Sequence, residues 1–177
     1  MIIQTNIPLI ENLLQSYIGY IGKDFTAYLN HCFRVFNFCA AFLDGKDVDK
    51  DKIAIAAAFH DLGIWTNNTF DYLKPSQDLA KENLNSINKF EWIDEVESMI
   101  SNHHKIRKYH SNNIVESFRK ADWTDISLGH LKFGLPKSFV RETLLTFPNT
   151  GFHKKLTVLT VNWTLKHPFN PLPMMKL

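Results

Sequence analysis

The chain has little of what staples, tethers or targets a protein. Its 177 residues include two cysteines, seven glycines and seven prolines. Cys32 and Cys39 fall two turns apart in one predicted helix, about 10 Å along its axis, too far for a disulfide. Thiols paired at the short spacing of a structural zinc site are also missing. No stretch is rich enough in Ser, Gly and Pro to serve as a linker, and there is no repeat or low-complexity tract. The longest apolar stretches, such as residues 53–59, fall far short of a membrane span. The opening Met1-Ile2-Ile3-Gln4-Thr5-Asn6 lacks a basic segment followed by a long apolar core, so no signal peptide is expected. Formal charge is nearly balanced at +2, too weak a field to predict binding to a nucleic-acid polymer. Together these absences predict a soluble protein with reduced thiols, at home in the cytoplasm and without a membrane partner.

What is present is ordinary globular material, 45% hydrophobic and 21% charged, which argues against disorder. The length predicts one domain over residues 1–177, large enough to bury about 70% of its unfolded surface. Its pattern is a succession of helices. Pro8 suits a first turn, with Leu9, Ile10, Leu13, Leu14, Tyr17 and Ile18 as the apolar stripe and Gly19 and Gly22 as its end. Asp24 is placed to cap a long helix in which Tyr28, Cys32, Val35, Phe36 and Cys39 recur, with Gly45 closing it. A further helix starts at Asp49 or Asp51 and carries the small-residued run 53–59, a composition suited to a central, closely packed position. Residues 65–74 read as irregular, Pro75-Ser76 opens the next helix, and others follow from about Asp94 and Ile114. Helices over 136–167 complete the chain. Residues 156–161 (LTVLTV) are β-branched enough for a strand, but their flanks favour helix. Without a convincing strand pair, the fold class is all-α, a compact helical bundle.

The unusual feature is the placement of several of the eight histidines. His31 shares a face with Ala27, Val35 and Phe38. His60 and Asp61 close the Ala-rich helix, His103 and His104 end the helix of Val96, Met99 and Ile100, and Asp122 lies a turn from Phe118 and from Asp125. A bare buried carboxylate costs several kcal/mol unless it is paired or binds a metal. One divalent cation is an economical partner: two neutral imidazoles and two carboxylates balance its charge and leave positions open for water. Mixed nitrogen and oxygen ligation suits Mn, Fe, Co, Ni or Zn better than calcium.

Asn30-His31-Cys32-Phe33-Arg34-Val35, Ala58-Phe59-His60-Asp61-Leu62-Gly63 and Ala121-Asp122-Trp123-Thr124-Asp125 together resemble the HD-domain superfamily of metal-dependent phosphohydrolases. The resemblance covers about residues 24–127. It implies an all-helical fold with a divalent metal (Mn, Fe, Co, Ni, Zn or Mg; one ion or two) on His31, His60, Asp61 and Asp122. Ser76 with Leu79-Ala80, and Ile100-Ser101-Asn102-His103-His104, resemble the intervening segments of members in which an extra histidine enters the site. The chain departs from the pattern too: Ile64 and Trp65 follow Gly63 where many members have a lysine, and no glutamate stands third after Asp61.

The implied reaction is hydrolysis of a phosphate ester of a nucleotide or small metabolite by a metal-activated water. Asp122 or Asp125 would orient that water, and His103 or His104, with His103 favoured by its inward stripe, would protonate the leaving oxygen. Lys105 and Arg107, in the basic run 105–108, are candidates for holding a small anionic substrate, although such a run also suits a solvated helix terminus. Phe59, Trp65 and Trp123 adjoin motif residues and are candidates for lining a pocket. His110, His130, His153 and His167 are given no chemistry. Two other readings stand beside this one: hydration or oxidation of a small molecule at the same metal, and a catalytically silent metal-stabilised module or sensor.

Overall fold

A computed structural model describes residues 1–44, 46 and 48–176. They form ten α-helices: α1 (Pro8–Gln15), α2 (Ile18–Ile21), α3 (Phe25–Phe42), α4 (Lys50–Phe59), α5 (Gly63–Thr66), α6 (Leu73–Ser86), α7 (Ile93–Asn102), α8 (Asn113–Ile126), α9 (Lys137–Thr146) and α10 (Phe152–Lys166). Among the described residues there is no strand, only one isolated bridge between Lys105 and Lys176. The fold is all-α and compact. No helix of the described residues is long and apolar enough to cross a membrane.

The centre is built from α3, α4 and α8. Every residue from Ile53 to Phe59 is buried, so small side chains on all faces let α1, α3, α6 and α7 approach α4 closely. Its start is as expected: the Asp49 side chain accepts from the Asp51 amide at 3.0 Å. α3 and α8 share the most extensive helix contact, and each contributes an unbroken buried stretch with polar residues in it. Asn112 caps α8 by accepting from the Ile114 amide at 2.8 Å. Cys32 and Cys39 are free and buried in this core.

Three local expectations need correction. The first helix breaks after Gln15 instead of running to Gly19, where Ser16 bonds back to the Asn12 carbonyl, a contact that tends to bend helices. Asp24 does not cap α3. A 3-10 turn (Gly22–Asp24) leads straight into that helix, and the Asp24 carboxylate takes the Trp65 indole at 3.1 Å and Lys155 at 2.9 Å. These distant donors are stronger partners than a backbone amide. The segment 65–74 is only partly irregular, because α5 occupies its start and α6 begins at Leu73. Residues 156–161 are helical within α10, and the expected end at Gly45 lies outside the described residues.

Gly63 is held by a close approach. A Cβ there would lie 2.7 Å from the Tyr72 carbonyl oxygen and 2.9 Å from Pro75 Cβ. Its amide donates to Ser76 Oγ at 3.0 Å, which locks the start of α5 to α6. Gly63→Ala is therefore expected to destabilise the protein by about 1–3 kcal/mol, read as a lower urea midpoint at unchanged slope. An unaltered midpoint would show that the two elements can separate freely.

Candidate metal centre

Four helices deliver the polar groups to one buried point. α3 supplies His31 and, one turn on, Arg34. The end of α4 supplies His60 and Asp61, whose amide lies 3.3 Å from the Tyr28 hydroxyl while that hydroxyl donates to the Ala58 carbonyl at 2.9 Å. His103 and His104 follow the last turn of α7, and α8 supplies Asp122 and Asp125. All of these side chains are buried, His104 least so at 8% exposed.

Their inner atoms converge. His31 Nε2 lies 2.8 Å from His60 Nε2, 3.5 Å from Asp61 Oδ2 and 3.7 Å from Asp122 Oδ1. His60 Nε2 lies 3.5 and 3.8 Å from the same two oxygens. The other oxygen of each carboxylate faces the second pair of imidazoles: Asp61 Oδ1 is 3.3 Å from His103 Nε2, and Asp122 Oδ2 is 3.2 Å from His104 Nδ1. Donors about 2.0–2.2 Å from a shared ion stand about 3.0–3.5 Å from one another, which is close to the spacing here. Three triads, His31–His60–Asp122, His60–Asp61–His103 and His103–His104–Asp122, each have the compactness a cation requires.

The outer nitrogens fix which lone pairs point inward. His31 Nδ1 meets Asp125 Oδ2 at 2.7 Å, His60 Nδ1 the Ala57 carbonyl at 2.8 Å, and His103 Nδ1 the Ile100 carbonyl at 2.6 Å. Each acceptor calls for a proton on Nδ1, so a neutral ring turns the Nε2 lone pair toward the centre, as a metal ligand must. For His104 the roles reverse: Nε2 meets the Tyr72 hydroxyl at 2.6 Å and Nδ1 faces inward. Asp61 Oδ1, His103 Nε2 and both oxygens of Asp122 are buried without a hydrogen-bond partner, their imidazole neighbours being near but poorly aligned. Buried carboxylate oxygens left in that state are costly, and the donor set fits a divalent cation.

Electrostatics point the same way. Burial works against the charge of Asp61 and Asp122, yet neighbouring imidazoles, His60 foremost for Asp61 and His104 foremost for Asp122, hold both below the usual carboxylate range. Burial alone would lower His31, but hydrogen bonds to Asp125 and then Asp61 raise it to about 9. Burial dominates at His60 and drives it down to about 4. The centre thus keeps two anionic carboxylates and lets an imidazole between them take up a proton or a cation.

A family model described as HD domain matches residues 28–127, over half of the chain. The chain belongs to the HD-domain family. Most of that family are metal-dependent phosphohydrolases. No curated protein and no solved structure matches the chain.

Within the HD domain, Asp125 stands behind His31 and away from the convergence point. Arg34 grips it with Nε on one oxygen and Nη2 on the other, the latter at 2.9 Å. Burial opposes its charge, but Arg34 first and His31 next keep its carboxyl far below the ordinary range. Arg34 Nη1 also donates to the Phe147 carbonyl at 2.8 Å, tying the loop after α9 to the site. Phe152, the first residue of α10, stacks on the His31 ring at 4.0 Å between centroids. The basic run lies at the outer margin. Arg107 is exposed, and the Lys105 carbonyl accepts from Arg119 Nη1 at 3.1 Å and Trp123 Nε1 at 3.3 Å.

Arg34, inside the first motif, and Tyr72 belong to the site but receive no role from the sequence. Arg34 carries a signal, an arginine one turn from His31 on an otherwise apolar helix, whereas Tyr72 is brought in only by tertiary packing. Removing one partner of a buried pair costs about 3–5 kcal/mol. Arg34→Met is expected to lose that much in equilibrium unfolding, with part restored in the Arg34→Met/Asp125→Asn double variant, which leaves no orphan charge. Wild-type stability in Arg34→Met would show that Asp125 does not need the guanidinium.

Proposed function

We propose that this HD domain is a phosphohydrolase with two adjoining metal positions, His31, His60, Asp61 and Asp122 forming one, and His103 and His104 the other. Asp61 and Asp122 would contribute to both, since each has one oxygen toward either pair of imidazoles. The observation that carries this reading is the set of buried, unpartnered inner atoms on Asp61, His103 and Asp122. Bound divalent cations supply Lewis acidity at a phosphoryl oxygen, a nucleophilic water at neutral pH and a positive seat for the anionic end of a phosphate ester.

The chain's own groups hold and orient. Asp125 fixes the ring of His31 through Nδ1, and the carbonyls of Ala57 and Ile100 do the same for His60 and His103. Such outer partners raise ligand basicity and prevent ring rotation. The close walls from Phe118, which meets the His60 ring edge-on, and Phe152 keep bulk water away from the ligands, which strengthens every charge interaction inside. Tyr72, whose hydroxyl meets His104 Nε2, stands at the border where a substrate would enter, so a proton for the departing oxygen is most readily delivered from that hydroxyl.

Purified protein loaded with Mn, Co, Ni or Mg is expected to hydrolyse p-nitrophenyl phosphate. Asp61→Ala should lose metal, and its activity should fall by more than the about 10–100-fold typical of losing an outer partner. Activity that persists in Asp61→Ala, or a metal-loaded wild type inert toward every phosphate ester offered, would overturn the proposal. Chelation is also expected to lower the melting temperature of wild type, since a ligand of the native state alone stabilises it; an unchanged melt in a protein shown to have lost metal would contradict this.

A further inference from the structure

A cavity of about 380 Å³ opens against the border of the metal centre, where His104 and Tyr72 belong to both. Its volume lies at the small end of the roughly 300–1,000 Å³ common for small-molecule sites. Its lining includes Phe70 and Trp123, Leu156 and Thr160 of α10, and Met174 and Met175 from the carboxyl-terminal tail. The tail is pinned by the Ile106 amide donating to the Lys176 carbonyl at 2.9 Å, and Met174 is buried in a small cluster with Phe70 and Tyr72.

None of the described residues lining this space is Lys, Arg, Asp or Glu. Most polar groups in its walls are engaged with the protein, His153 Nδ1 being buried without a partner. Thr157 and Thr160 donate their hydroxyls to the carbonyls of His153 and Leu156 at 2.8 and 2.9 Å. Trp123 Nε1 donates to the Lys105 carbonyl, His153 Nε2 meets the Asp125 carbonyl at 3.1 Å, and His104 Nε2 meets Tyr72. A sugar or a polyphosphate placed here would leave water's hydrogen bonds and gain few in return. An apolar group loses nothing of that kind, and two methionines beside a tryptophan adapt readily to its shape.

We propose that the cavity is a specificity pocket for an uncharged, apolar organic group of the substrate, whose phosphoryl end reaches the metal centre past His104 and Tyr72. The phosphoryl half of this statement rests on the phosphohydrolase reading above; occupancy of the cavity by an apolar group does not. In the reaction the ester P–O bond breaks, water supplies the oxygen that joins phosphorus and the proton that leaves on the alcohol, and the alcohol keeps the apolar group.

Naphthol and naphthyl phosphate are the probes. Calorimetric titration of the full chain with naphthol, metal-free and metal-loaded, is expected to give saturable binding in both states. Thr160→Arg and Met175→Arg, in two different segments of the lining, should each weaken it by about tenfold or more, at wild-type metal content and with a cooperative melt. Using two sites keeps the test decisive if one variant fails to fold. For metal-loaded wild type, kcat/KM for naphthyl phosphate is expected to exceed that for ribose phosphate by about a hundredfold. Absence of saturable naphthol binding, unchanged affinity in a folded variant, or equal turnover of the two esters would overturn the pocket. Naphthol binding that the arginine variants weaken, without turnover of either ester, would uphold the pocket and sink the phosphohydrolase reading.

Discussion

Two carboxylates with no access to water, Asp61 and Asp122, set the terms for everything around them. Each stays ionised because imidazoles crowd it, and each keeps at least one oxygen without a hydrogen bond. Burial opposes that charge, and a proton on an imidazole or a bound cation offsets it. The arrangement of α3, α4, α7 and α8 follows from that need, since no two of these helices alone carry enough donors to satisfy it.

Support extends outward in layers. Asp125 and two helix-end carbonyls hold three imidazoles in the tautomer that turns Nε2 inward. Arg34 neutralises Asp125 and, through the Phe147 carbonyl, fastens the segment between α9 and α10. Phe152 then lies flat on His31, and the helix it begins forms a wall of the apolar cavity. The carboxyl-terminal helix is therefore joined to the metal centre by a stack, an arginine and a shared pocket, although the family pattern ends at residue 127.

Much of this is legible in the amino-acid sequence. Helix class follows from three-to-four spacing and from the scarcity of glycine and proline, polar residues recurring on apolar faces point to a shared cation, and the grouping of His31, His60, Asp61 and Asp122 follows from the resemblance to the HD-domain pattern. What escapes is whatever depends on tertiary partners. Asp24 has the chemistry of a cap, but Lys155, far along the chain, claims its carboxylate. The pairing of each carboxylate oxygen with a different set of imidazoles leaves no trace in spacing. Trp123 is a pocket-lining candidate by its place in a motif, but Tyr72 and most other cavity residues come from segments with no motif, and the absence of charge there is visible only once α10 and the tail are folded over the site.

The central claim is that the six inner side chains hold metal, with Asp61 and Asp122 shared. Anomalous diffraction from crystals of manganese-loaded protein tests it most directly. The expected result is one peak among His31, His60, Asp61 and Asp122, and a second beside His103 and His104 against the other oxygens of the same carboxylates. Fully loaded crystals with no peak inside this set, or with manganese held elsewhere on the chain, would contradict it.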